Sequence, residues 1–243
     1  MSALSWQSLK VFYGDRPALD LGPISLEGGQ MIALLGPNGS GKSSLLKALI
    51  NAVPHKATGL TLHGDPAAGL SRTERARHIA YLSQARTGPA LSSVRDIIKL
   101  GRVPYHGADP DGRVEAVIRR LDLSALANRR FGTLSGGEQA RVLLARTLAV
   151  GADIILVDEP TAALDPFYAL SLLDALKEET KRGALVIVSL HDLTLAKRYA
   201  DDALILNHSR LVTAGPVSEA LSPAILSDVF RLQMGEDGFQ PRQ

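Results

Sequence analysis

Two kinds of apolar segment alternate along this chain. Runs such as "MIALL", "ADIILV" and "ALVIVS" are almost wholly apolar and lack a period of two. That is the pattern of strands covered on both faces. Longer segments carry apolar residues at helical spacing. "KSSLLKALINAV" stops at Pro54. "PFYALSLLDALKEETKR" has Pro166 suited to a first turn and Gly183 just past its end. "LTLAKRYAD" and "SPAILSDVFRL" read the same way. Alternation of strand and helix predicts an α/β fold, a mainly parallel sheet with helices on both sides. Near the start, "LSWQSLKVFYG" and "PISLEGGQMIALLG" read as strands split by Gly and Pro, and an N-terminal antiparallel β subdomain is expected there. "TGLTLHGD" and "RHIAYLSQ" read as further strands, and "ALILNHSRLVTAG" as a hairpin. The character changes over about 85–133. Strand runs vanish, and Val114, Val117, Ile118 and Leu121 make a helical stripe. This predicts an α-helical subdomain inserted into one domain spanning 1–243. The polar tail "GEDGFQPRQ" is expected to fray.

Composition narrows the class. Of 243 residues, 45% are hydrophobic and 21% charged, which fits a globular protein with a substantial core. The net charge of +2 gives no reason to expect a nucleic-acid partner. Clusters such as Arg72, Arg75 and Arg77 read as solvated faces. The absence of cysteine excludes disulfides, thiolate metal sites and a cysteine nucleophile. "MSALSWQSLK" lacks the basic and apolar regions of a secretory signal, and no apolar run is long enough for a spanning helix. A role at a membrane would therefore require docking onto another protein.

Candidate chemistry begins at 36–43, "GPNGSGKS", which fits G-x-x-x-x-G-K-[ST]. Gly36, Pro37, Asn38, Gly39, Ser40 and Gly41 form the loop, whose backbone N–H groups make an anion nest at a helix start. A buried strand enters it and an amphipathic helix leaves it, as a P-loop NTPase core requires. Lys42 is expected to reach the β- and γ-phosphates of ATP, and the Ser43 hydroxyl to ligate Mg²⁺. In "IILVDEP", Asp158 ends a buried strand and is a second candidate Mg²⁺ holder. Glu159 follows, suited to orient the attacking water or accept its proton. His191 and Gln84 end other strands at the same predicted edge. His191 suits contact with the γ-phosphate; Gln84 suits Mg²⁺ or the water. A second glycine-containing helix start, "LSGGEQ" at 134–139, looks like a further phosphate grip.

"GPNGSGKSS", "YLSQ", "LSGGEQ", "IILVDEPT", "AALD" and "SLHD" occur in the order found in the ATP-binding cassette family, which the chain resembles over nearly its whole length. The resemblance implies further roles. Tyr13 would stack on adenine, and Ser44 would contact phosphate. Gln84 would sense Mg²⁺ and contact a membrane partner, and Asp165 would organise a dimer seam. Cassettes of this family pair head to tail, so Leu134, Ser135, Gly136, Gly137 and Glu138 would complete the ATP site of a second copy. Closure on ATP and opening after hydrolysis then form a two-state switch. Two positions depart from the pattern. Ser44 stands where Thr is usual, which retains a hydroxyl. Ala162-Ala163-Leu164-Asp165 stands where Ser-Ala-Leu-Asp is common, which loses one.

The short span from Gln84 to Leu134 excludes a long coiled-coil arm. One cassette is present, with no fused membrane span. That arrangement resembles the separate ATPase subunits of bacterial importers, on the cytoplasmic face of the inner membrane. Its implied partners are two permease subunits and, indirectly, a substrate-binding protein. "VRDIIKLGRVPYH", "LDLSALANRRFGTLSGGE" and "SLHDLTLAKRYADDALIL" are similar to subunits that serve ferric siderophores, haem and cobalamin. An ATPase for another cargo, or a soluble ATPase without a permease, remains the alternative.

Overall fold

A computed structural model describes residues 2–14, 16–85, 87–162, 164–235 and 238–241. The elements run β1 (Ser2–Trp6), β2 (Ser8–Tyr13), β3 (Arg16–Leu21), β4 (Ile24–Glu27), β5 (Met31–Leu35), α1 (Lys42–Leu49), β6 (His55–Thr58), β7 (Thr61–Leu62) and β8 (Asp65–Pro66). Then come α2 (Arg72–His78), β9 (Ile79–Leu82), α3 (Val94–Lys99), α4 (Arg113–Arg120), α5 (Gly136–Ala149), β10 (Ile154–Val157), α6 (Pro166–Lys181), β11 (Leu185–Ser189) and α7 (Leu193–Tyr199). The chain closes with β12 (Asp202–Asn207), β13 (Arg210–Pro216), α8 (Val217–Ala220), α9 (Pro223–Phe230), β14 (Leu232–Gly235) and β15 (Gly238–Pro241).

Nine strands form one sheet in the order β6-β2-β3-β13-β12-β5-β11-β10-β9. From β12 to β9 every pairing is parallel. The antiparallel strands of the N-terminal part divide: β2, β3 and β6 extend the large sheet, while β4-β1-β7-β8 form a small one. The lack of apolar alternation in the central strands has a direct cause. Met31, Ala33, Leu35, Ile155, Val157, Val186 and Val188 face a core shared with α3 to α7. Ile32, Leu34, Ile154, Leu156, Leu185 and Ile187 face the other way, onto α1 and the N-terminal strands.

Between β9 and β10 the described residues hold helices and tight turns, with one isolated bridge between Ser93 and Arg130. The predicted stripe is buried there, packed among Val94, Ile97 and Phe131. Arg102 ties this segment to α5. Arg102 is 4% exposed; its guanidinium donates to the carbonyls of Ala149 (3.0 Å) and Val150 (3.2 Å) and stacks on Tyr105. These bonds satisfy carbonyls that end α5. Gly101 permits the approach, because a Cβ there would meet the Arg146 carbonyl at 2.3 Å.

Two expectations are corrected. "RHIAYLSQ" is not one strand: Arg72–His78 is helical, and the strand begins at Ile79. A reciprocal capping box starts this helix, with Glu74 N–H donating to Ser71 Oγ (3.2 Å) and Ser71 N–H to Glu74 Oε2 (2.8 Å). Nor is the described tail frayed, since Gly238–Pro241 pairs antiparallel with Leu232–Gly235. The expected hairpin at β12 and β13 is present, with His208 and Ser209 turning it at positive φ. Among the described residues, no helix is long and apolar enough to cross a membrane.

Candidate functional site

β5 is wholly buried and delivers the chain into the glycine loop. Gly36 lies at φ 145, and a Cβ there would meet the Leu206 carbonyl at 2.1 Å. Gly41 caps α1 at φ 105, and a Cβ there would strike Leu19 at 2.6 Å. Only glycine fits both positions. The first turn of α1 carries no acidic residue, and no side chain caps it. Its N–H groups are thus directed at the loop as anion donors. Lys42 is 5% exposed and folds back over the loop, donating to the carbonyls of Gly36 (2.8 Å) and Pro37 (3.2 Å). Burial lowers its pKa, and the charges of Glu159 and Asp158 partly offset this. Pro37, Asn38 and Gly39 are exposed, and Ser40 is buried, its hydroxyl without a partner among the described residues.

The other chemistry-bearing residues follow the C-terminal ends of β9, β10 and β11. Register aligns those ends: Val157 lies opposite both Leu82 and Val188, and Ser189 opposite Leu34. Asp158 is 2% exposed. Its Oδ1 accepts from Ser43 Oγ (3.0 Å) and Ser189 Oγ (2.9 Å), and its Oδ2 from the Tyr81 hydroxyl (3.3 Å). The Tyr81 phenol is pushed up by burial first, then by Asp158. Ser43 and Asp158 thus meet as predicted residues, but Ser189 and Tyr81 went unread. The signal for Ser189 was a lone hydroxyl at the end of the otherwise apolar "LVIVS".

Glu159 adopts φ 46, a left-handed backbone that costs about 1–3 kcal/mol. The Ser189 hydroxyl accepts its N–H at 2.8 Å and holds the turn. This backbone sends neighbouring carboxylates to different partners. Glu159 Oε2 accepts from the Gln84 amide at 2.6 Å, and Oε1 lies 2.5 Å from His191 Nε2. Three strand ends therefore converge on one carboxylate. Gln84 sits with Glu159 and His191, not in the hydrogen-bonded pair of Ser43 and Asp158. His191 lines both a cleft of about 470 Å³ with residues 36–40 and a hollow of about 390 Å³ with Glu159, Thr161 and Asp192.

Tyr13 ends β2 with half its surface exposed, its hydroxyl 3.4 Å from Ser44 Oγ. Ser135 caps α5 in a second capping box with Glu138. Ser135 and Gly136 are exposed, and Leu134 is buried. The Ser135 N–H bond holds the Glu138 carboxyl below its usual range. Gly137 packs against the Tyr168 ring, where a Cβ would lie 2.6 Å away. Asp165 caps α6 by accepting the Tyr168 N–H at 3.2 Å. Ala163 of the predicted seam lies outside the described residues.

A family model described as "ABC transporter" matches residues 23–162. The chain is 40% identical over 226 residues to the "Hemin import ATP-binding protein HmuV" of Streptomyces coelicolor, covering 91% of this chain and 81% of that one. It is 33% identical over 239 residues to the "Probable siderophore transport system ATP-binding protein YusV" of Bacillus subtilis, covering 96% and 87%. A solved chain from an inward-facing ABC transporter, thought to be of metal-chelate type, superposes with a TM-score of 0.79 at 26% identity, covering 99% and 96%. A nucleotide-free ATP-binding cassette shares the fold, with a TM-score of 0.81 at 23% identity over 94% of this chain and 96% of that one. The P-loop, the strand-end carboxylates and these likenesses agree: the chain belongs to the ABC transporter family, as an ATP-binding cassette that hydrolyses ATP.

Proposed function

We propose that this cassette drives a membrane importer for a metal chelate, of the haem, ferric siderophore or cobalamin kind. It works at the cytoplasmic face of a bacterial inner membrane, beneath two permease subunits served by a substrate-binding protein. Likeness to relatives named for hemin and siderophore import supports the cargo class. The bridge from Gln84 and His191 to Glu159 carries the hydrolytic mechanism.

Lys42 exchanges its loop carbonyls for the β- and γ-phosphate oxygens of ATP, and the loop from Gly36 to Gly41, with Ser43 and Ser44, surrounds them. Tyr13 supports adenine. Asp158 is a buried carboxylate with three hydroxyl donors and, among the described residues, no ion-pair partner within 4.0 Å. A buried charge so placed suits a hard cation, and an adjacent hydroxyl and carboxylate are oxygen ligands of the kind Mg²⁺ takes. When bound, Mg²⁺ neutralises charge on the phosphates. Glu159 orients the attacking water and takes its proton, with Gln84 and His191 fixing the carboxylate. Gln84, at the start of the helical subdomain of about 85–133, also relays the state of the site toward the permease. Leu134, Ser135, Gly136, Gly137 and Glu138 complete the site of a second copy, and Asp165 orders the seam between them.

The test is co-purification of the chain with a many-span permease from native membranes. Uptake of haem, a ferric siderophore and cobalamin is then measured in vesicles holding that complex. ATP-dependent uptake of one of the three is expected. A chain that stays soluble, without a membrane partner in native extracts, contradicts the reading.

A further inference from the structure

The opposite end of the parallel strands holds a second cluster of chemistry-bearing residues. Asp153 immediately precedes β10, and His78 immediately precedes β9. Because Ile154 pairs with Ile79, these two residues are neighbours across the ladder. His63 comes from the small sheet, at φ 52 in the turn between β7 and β8. Its Nε2 lies 3.5 Å from Asp153 Oδ2, and His78 Nδ1 lies 3.8 Å from the same oxygen. The three atoms all fall within 4.8 Å of one another. The rings are tilted at 50° with centroids 6.1 Å apart, so they do not stack.

His78 is a half-exposed side chain, but its Nδ1 faces inward, out of contact with solvent, and has no hydrogen-bond partner among the described residues. A polar atom turned away from water without a partner is unfavourable, and a ligand that accepted its lone pair would relieve that. It faces a second imidazole nitrogen and a carboxylate oxygen, the mixed donor set of borderline transition cations. Mg²⁺ and Ca²⁺ prefer oxygen alone. At metal–ligand bonds of about 2.0–2.2 Å, modest side-chain rotation brings the three atoms onto one ion, and three protein ligands leave a position for water.

We propose that His63, His78 and Asp153 bind a first-row divalent transition cation, which staples the β7–β8 turn of the small sheet to the starts of β9 and β10. The site is separate from Asp158, which follows the opposite end of β10, and from Ser43 in the first turn of α1; those two offer oxygen only.

The test uses the full chain, stripped with a chelator and held in excess Mg²⁺ and ADP so that the nucleotide site is engaged. Zn²⁺ is titrated by calorimetry, with Fe²⁺ under anaerobic conditions as a second probe. One Zn²⁺ per chain is expected, with micromolar or tighter affinity, and the thermal midpoint should rise on binding. H63A and D153N, at exposed positions, and H78A should each weaken binding by at least about tenfold. H191A should leave it unchanged. Zn²⁺ affinity and stoichiometry that persist in H63A and D153N overturn the site. So does loss of Zn²⁺ in H191A, or displacement of Zn²⁺ by Mg²⁺.

Discussion

Ser189→Ala removes one hydroxyl that serves Asp158 and Glu159, the two carboxylates proposed for Mg²⁺ and for the attacking water. Ser189 is fully buried. Its Oγ donates to Asp158 Oδ1 at 2.9 Å and accepts the Glu159 N–H at 2.8 Å. Alanine leaves the carboxylate one donor short, worth about 1.5–3 kcal/mol for a bond to a charged group, and strands an N–H worth about 1–3 kcal/mol. Asp158 keeps its bonds from Ser43 and Tyr81, which places the net loss nearer about 3 kcal/mol. At about 2–4 °C per kcal/mol for a chain of this size, the midpoint should fall by about 6–12 °C. Activity should fall as well, because Glu159 then has no side-chain anchor for its left-handed turn. A drop in kcat of about tenfold corresponds to a rise of about 1.4 kcal/mol in the barrier. ATP affinity should change little, since the bonds of Lys42 and the glycine loop are untouched. The assays are urea denaturation, steady-state phosphate release and nucleotide calorimetry. Ser189→Thr keeps the hydroxyl and should recover more of kcat than of stability, because its methyl crowds a filled core. A stability loss below about 0.5 kcal/mol, small against the values expected for such bonds, would refute the reasoning. Affinity falling in parallel with kcat would also refute it.

Three further substitutions test other parts of the site. Tyr13→Ala should weaken ATP binding by about tenfold, on the scale of base stacking, while Tyr13→Phe stays near wild type. Equal losses in the two would assign the effect to the hydroxyl beside Ser44. Lys42→Ala should lower ATP affinity at least about tenfold by calorimetry, as loss of a charge-assisted phosphate contact does, and unchanged affinity would remove Lys42 from its role. Arg102→Gln should destabilise the fold by about 3 kcal/mol in urea, because it orphans carbonyls at the end of α5. A loss under about 1 kcal/mol would mean those carbonyls find other donors.

What was legible in the sequence followed from how local its cause is. The glycine loop lies on consecutive residues, and its backbone needs show in their identities. β5, β10 and β11 were readable as central strands because burial on both faces leaves no polar positions. α2 is not predicted, and only its last two residues, Arg77 and His78, fall in a predicted strand, because none of its residues is buried and no apolar stripe marks it. Its trace was the Ser71–Glu74 capping box. The β14–β15 pairing was missed because Phe239 packs against the main core, a distant contact that a polar tail does not announce. Gln84, Glu159 and His191 were each found as strand ends, but their meeting on one carboxylate depends on sheet order, which no spacing encodes. Ser189 and Tyr81 were missed for the same reason, since their partners lie one strand away.

In the mechanism we propose, "LSGGEQ" completes an ATP site on another copy of the chain, while Glu159 drives hydrolysis in its own. Glu159→Gln should bind ATP without turnover and form a closed dimer, seen by light scattering. Adding Ser135→Arg to that variant gives the most direct measurement. Unchanged ATP affinity is expected, with the protein remaining monomeric. ATP-driven dimerisation persisting in the double variant, or ATP binding lost with it, would rule out a site shared between two copies.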